Sequence, residues 1–232
     1  MIDAVMFDLD ETLFDRSSSL NAFVQHQFSN VEIGDFSSLS EVAARFLELD
    51  RRGRVSKLDV YGTLLGEIGN PDERLIKDLF DDYEANAWRY ARPFEGMNDV
   101  ILELRRSGKK IGIVSNGQTH IQLRSLLALN LDRLADAYLI SEQEGCRKPD
   151  TEIFLKAAKR LSVTASKCVF VGDSPEADII GAHAAGMRTV WFPNGAVWPD
   201  GAAVRADGMI TSLMELPALI AQWIADADDW LS

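Results

Sequence analysis

Two aspartates two positions apart, Asp8 and Asp10, close a short apolar run, Ala4-Val5-Met6-Phe7, near the start of the 232-residue sequence. If the run is a strand, residues i and i+2 face the same way and the two carboxylates share one space. Carboxylates that close repel, and they need a cation or a proton between them, which suits a metal ion, a nucleophile or a general acid. The same pair also suits a solvated acidic turn with Asp10 or Thr12 capping a helix, so Asp-x-Asp by itself does not choose. Three later features come after similar apolar runs: Ser115-Asn116-Gly117, then Lys148-Pro149-Asp150, then Gly172-Asp173-Ser174-Pro175-Glu176-Ala177-Asp178. Singly, each reads as a turn, a surface lysine or a helix cap. Together they supply a carboxylate nucleophile, hydroxyl and amide donors, one lysine and acidic ligands for a hard divalent ion. Those are the parts of a phosphoryl-transfer site.

The elements that must position these residues are written in the periodicity. Residues 4–7, 111–114, 137–140, 168–171 and 189–192 are apolar runs without polar alternation, as in strands covered on both faces of a parallel sheet. Helical patterns separate them: Val100-Ile101-Leu104 ending at Gly108, Ile121-Leu123-Leu126-Leu127, and Ile153-Phe154-Ala157-Ala158-Leu161. Ser174 reads as an N-cap with Pro175 at the first helical position, and Gly186 is placed to end that helix. Strand alternating with helix spells a doubly wound α/β core, in which the strand ends carrying the chemistry share one edge. Residues 15–93 break the rhythm, with helical spacing (Val42, Phe46, Leu49; Leu75, Ile76, Leu79, Phe80, Tyr83) and no clear strand. The expected organisation is a core of 1–14 and 94–232 with a helical insert over 15–93. An edge strand is expected at Met209-Ile210 and a last helix from Pro217 to Ile224.

Composition narrows the function. With 47% apolar and 26% charged residues the chain is globular, and a formal charge of -12 repels a nucleic-acid polymer and an anionic membrane surface. A small phosphorylated partner can still bind locally. The absence of a basic leader or a long apolar stretch points to a cytoplasmic location. Cys146 and Cys168 have no metal spacing and are expected to be reduced and part-buried.

The ordered set Asp8-x-Asp10-x-Thr12, Ser115, Lys148 with Pro149, and Gly172-Asp173 followed by Asp178 resembles the haloacid dehalogenase superfamily of hydrolases. The resemblance spans the core from the first strand to the fifth, and the insert is similar to that superfamily's small helical cap. It implies that Asp8 is the nucleophile and a metal ligand. Asp10 would be the acid and base, with its carbonyl also on the metal. Thr12, Ser115 and Asn116, with Gly117 as a further backbone donor, would hold phosphate oxygens beside Lys148. Asp173 would be a direct ligand of magnesium, and Asp178 either a further ligand or a partner holding the ion's waters. Glu11 departs from the pattern, because many members carry glycine or a small residue there. The second aspartate favours phosphate esters over carbon-halogen bonds, since departing halide needs no proton.

A phosphatase for a small phosphorylated metabolite is the leading expectation, a phosphomutase the second, and a non-catalytic phosphoacceptor module the third. Chain order opposes the last, because the paired carboxylates end the first strand. Ser115-Asn116-Gly117 and Ile140-Ser141-Glu142-Gln143-Glu144-Gly145 are similar to members acting on nucleoside 5′-monophosphates and to a branch acting on sugar-acid phosphates. Nucleoside monophosphates are the first expectation and sugar phosphates the second. In the insert, Arg16 is the candidate cation for a second anionic group, and Lys57 reads as a solvated side chain. Phe23, Phe46, Tyr61 and Trp88 are open to stacking on a base or packing between helices, and Arg16 and Tyr61 are expected to influence substrate ranking.

Overall fold

The computed structural model describes residues 2–201 and 204–229. Six parallel strands form one sheet in the order β3-β2-β1-β4-β5-β6: β1 Ala4–Phe7, β2 Lys110–Ser115, β3 Ala137–Ile140, β4 Cys168–Gly172, β5 Arg188–Trp191 and β6 Gly208–Met209. The first strand is central because it is apolar throughout: all four of its residues are buried, with β2 on one side and β4 on the other. Chain order reverses at β1, and such a switch point opens a crevice at the carboxyl ends of the strands. Asp8 follows β1 and Asp173 follows β4, so both stand at that crevice.

Helices α5 (Met97–Arg106), α6 (Thr119–Ala128), α7 (Leu131–Leu134), α8 (Ser141–Glu144), α9 (Thr151–Arg160), α10 (Gly181–Ala184) and α11 (Leu216–Asp229) belong to this unit. Helix α9 buries Ile153, Phe154, Ala157 and Ala158, the residues that its three-and-four spacing selects. Phe154 and Phe170 of β4 meet edge to face at 4.9 Å between ring centres. Ser174 Oγ accepts from the Ala177 amide, Pro175 opens a wide helical turn (Pro175–Ile180), and Gly186 follows α10 at φ +82°. Of the residues expected on the inner face of α6, Leu126 is buried, Ile121 and Leu123 are half-buried and Leu127 is 48% exposed, while Gln122 and Ser125 are the other buried ones. The last helix is longer than expected, and β6 sits one residue earlier.

The chain divides into two compact units, Met1–Phe14 with Pro93–Ser232, and Asp15–Arg92. Pro93 falls in the first unit, where it pairs with Phe14 in an isolated antiparallel bridge. The second unit holds α1 (Arg16–Gln27), α2 (Leu39–Asp50), α3 (Lys57–Ile68) and α4 (Glu73–Asn86), with no strand among its described residues. Its core contains Phe23, Phe46 and Tyr61. Tyr61 is fully buried and its hydroxyl donates to Gln27 Oε1 at 2.5 Å, so it packs between helices and presents nothing to a ligand. Arg16 and Lys57 also depart from expectation, since both pair with the buried carboxylate of Asp50. No helix among the described residues is long and apolar enough to cross a membrane.

Candidate active site

The chain leaves β1 through a turn in which Leu13 and Phe14 both return their amides to the Leu9 carbonyl, at 3.0 and 2.8 Å. Before the turn, the Asp8 amide donates to the Val171 carbonyl at 2.9 Å, which fixes Asp8 beside the end of β4. Lys148 Nζ pairs with Asp8 Oδ1 and, at 2.7 Å, with Asp178 Oδ1. Asp178 Oδ2 accepts from the Ser174 amide at 3.0 Å. Asp8, Asp173 and Asp178 are all buried, and one oxygen from each lies within 4.8 Å of the others.

Burial drives the Asp8 carboxyl well above the ordinary carboxylate range, and Asp178, Asp173 and Asp10 push the same way against the pull of Lys148. Burial by itself would lower the Lys148 ammonium, but Asp178 and Asp8 outweigh it and hold it above its ordinary value. One ammonium thus pairs with two of the three clustered carboxylates, and a hard divalent cation fits the remaining oxygen donors. Thr12 Oγ1 and Ser115 Oγ are buried at the same sheet edge without a hydrogen-bond partner among the described residues. Buried hydroxyls are normally paired, so two such orphans mark a place for an oxygen-rich group.

The expected residues are not all disposed alike. Asp8, Lys148, Asp173 and Asp178 form one cluster. The Asp10 side chain lies outside it and accepts from Gln122 Nε2 at 3.0 Å. The Asn116 amide is turned to the chain: its Nδ2 donates to the Lys148 carbonyl and its Oδ1 accepts from the Lys148 amide, both at 2.9 Å. It therefore fixes the backbone that carries the lysine. The Gly117 amide, expected as a phosphate donor, instead donates to Ser141 Oγ at 3.0 Å. Cys146 and Cys168 are both buried and outside any disulfide, and burial raises the Cys168 thiol to about 11.

Three supporting contacts were missed from sequence. Gln122 is one, and its only signal is a polar residue on the inner face of α6. Trp191 Nε1 donates to the Asp173 carbonyl at 2.8 Å, tying β5 to the acidic cluster. Asn194 Nδ2 donates to Glu11 Oε2 at 2.7 Å, holding a glutamate that sits at φ +61° where glycine would be easier.

The haloacid dehalogenase-like hydrolase model matches residues 5–192. The glyceraldehyde 3-phosphate phosphatase of Methanopyrus kandleri is 31% identical over 199 residues, covering 84% of this chain and 85% of its own. The ribulose-1,5-bisphosphate 5-phosphatase of Halopiger xanaduensis is 30% identical over 246 residues, covering 95% and 100%. Among solved structures, the HAD-hydrolase YfnB from Bacillus subtilis has the same fold, with a TM-score of 0.74 at 24% identity over 94% of this chain and 98% of its own.

Proposed function

The chain belongs to the haloacid dehalogenase-like hydrolase family and is a phosphoric monoester hydrolase, and from that premise we propose a magnesium-dependent phosphatase for a small phosphorylated sugar. The observation that carries the reading is the buried cluster of Asp8, Asp173 and Asp178, with Lys148 paired to the first and last, and with the Thr12 and Ser115 hydroxyls at the same edge lacking a partner among the described residues. Such a cluster is costly as a stabilising device and useful as a phosphoryl site.

In this reading the Asp8 carboxylate attacks phosphorus as the bond to the ester oxygen breaks, and Asp10 gives its proton to the departing oxygen. Asp10, now a carboxylate, takes a proton from a water that attacks the aspartyl-phosphate, releasing inorganic phosphate and restoring Asp8. Lys148 offsets the charge that gathers when one anion meets another. Thr12 and Ser115 donate hydrogen bonds to the phosphoryl oxygens, and the Asn116 side chain serves by holding the Lys148 backbone. Asp8, Asp173, Asp178 and the Asp10 carbonyl are the proposed ligands of magnesium, which when bound would neutralise the phosphoryl oxygens.

Of the two substrate classes read from sequence, sugar phosphates gain support from relatives named for glyceraldehyde 3-phosphate and ribulose 1,5-bisphosphate. The insert is assigned the choice of the group attached to phosphate, because it leaves the core after Phe14 and returns at Pro93, with two crossings. The test is release of inorganic phosphate from glyceraldehyde 3-phosphate, ribulose 1,5-bisphosphate, a nucleoside 5′-monophosphate and an aryl phosphate. Release should be greatest with a sugar phosphate and disappear with excess chelator. Full turnover in chelator, or a preference for the nucleotide, would contradict the proposal.

A further inference from the structure

Gln122 is 7% exposed on the inner face of α6, and its amide nitrogen meets two acceptors. Nε2 lies 3.0 Å from Asp10 Oδ2 and 3.3 Å from the Asn116 carbonyl. A side-chain amide nitrogen has two hydrogens and accepts nothing, so these two contacts use its capacity. Turning the amide over would set Oε1 against the same two acceptors, and the neighbours therefore decide its orientation. The result leaves Oε1 buried without a partner among the described residues, which is unfavourable for stability. Gly117 makes the approach possible: a Cβ there would lie 2.5 Å from Gln122 Nε2 and 2.8 Å from its Cγ.

We propose that Gln122 is the positioning residue for Asp10, holding Oδ2 so that Oδ1 is the oxygen that carries the proton to the leaving group. The inference rests on the acid–base reading of Asp10 given above. Gln122 moves no proton and touches no reacting atom. Its second bond, to the Asn116 carbonyl, joins the acid to the segment whose side chain holds the Lys148 backbone. One amide thus keeps the proton donor in register with the loop beside the phosphoryl site. A fixed direction matters because a misplacement of about 1 Å in a reacting group can cost on the order of 10²-fold in rate.

The test is a double-mutant cycle of Gln122→Met and Asp10→Asn, with kcat and KM measured in magnesium on an alkyl and an activated aryl phosphate. Methionine matches glutamine in length and lacks its donor, and Gln122→Leu serves if the methionine variant fails to fold. Gln122→Met should lower kcat on the alkyl ester by about 10- to 10²-fold with KM little changed. The loss should be smaller on the aryl ester, whose leaving group needs less protonation, and absent when Asp10 is already asparagine. Losses that multiply in the double variant, or that are equal for both esters, would overturn the positioning role while leaving the phosphatase reading in place. A wild-type protein inactive on both esters would instead overturn that reading, and this inference with it.

Discussion

Gly172, the last residue of β4, shows how a missing side chain builds the acidic cluster. A Cβ there would lie 2.5 Å from Asp178 Cγ and 2.6 Å from Asp178 Cβ, so the aspartate can lie against the strand end only because the position is glycine. Gly172→Ala should therefore push Asp178 from Lys148, whose ion pair now measures 2.7 Å. Overpacking of this kind costs about 1–3 kcal/mol, read as a lower urea midpoint, and phosphate release should fall with it. An unchanged midpoint with unchanged release would show that the cluster tolerates a shifted Asp178. Glu11 is the opposite case, a residue kept where glycine is easier. Left-handed backbone costs a non-glycine residue about 1–2 kcal/mol, and the hydrogen bond from Asn194 to the carboxylate offsets part of it.

In the helical unit, three helix ends meet at one carboxylate. Arg16 is the first residue of α1, Asp50 the last of α2 and Lys57 the first of α3. Asp50 also accepts from the Gly53 amide at 2.8 Å and is wholly buried. Burial works against its charge, but Arg16 and Lys57 outweigh burial and hold its carboxyl below the ordinary range. A depressed folded-state value adds stability above the unfolded value of about 3.9, and that stability is lost as pH falls through the folded value. Asp50→Asn should destabilise the unit by about 3–5 kcal/mol at neutral pH, because it removes the negative charge with which Arg16 and Lys57 pair. Amide exchange in α1 to α3 should show the gap from wild type shrinking toward pH 3. A gap independent of pH would mean that shape, rather than charge, is what Asp50 supplies. None of this was legible beforehand, because Arg16 and Asp50 are 34 positions apart and a pattern of periodicity reads a charge in a helix as solvated. The strands were legible because burial on both faces writes an unbroken apolar run, and the boundaries of β1, β2 and β4 moved by no more than one residue. Gln122 escaped for the reason that Asp50 did: a buried polar residue is recognised by its partner, and the partner is distant in sequence.

Taken whole, the molecule carries a formal charge of -12 and brings three carboxylates together where an anionic substrate is proposed to react. Long-range attraction cannot deliver such a substrate, and salt screens charge beyond about 8 Å at physiological strength. Local chemistry has to do so: Lys148, two hydroxyls without a partner among the described residues and a proposed cation act over a few ångströms at the end of β1. Catalysis as proposed therefore requires Asp8 to be the nucleophile that bonds phosphorus. The most direct test is to quench a single turnover with a sugar phosphate in acid and locate the added phosphoryl group by peptide mass. A hydroxylamine-sensitive phosphoryl adduct should appear on Asp8, forming and decaying at rates that match phosphate release, and should be missing in Asp8→Asn. Phosphate released in a full single turnover with no adduct on Asp8 at any time, or with equal speed from Asp8→Asn, would contradict it.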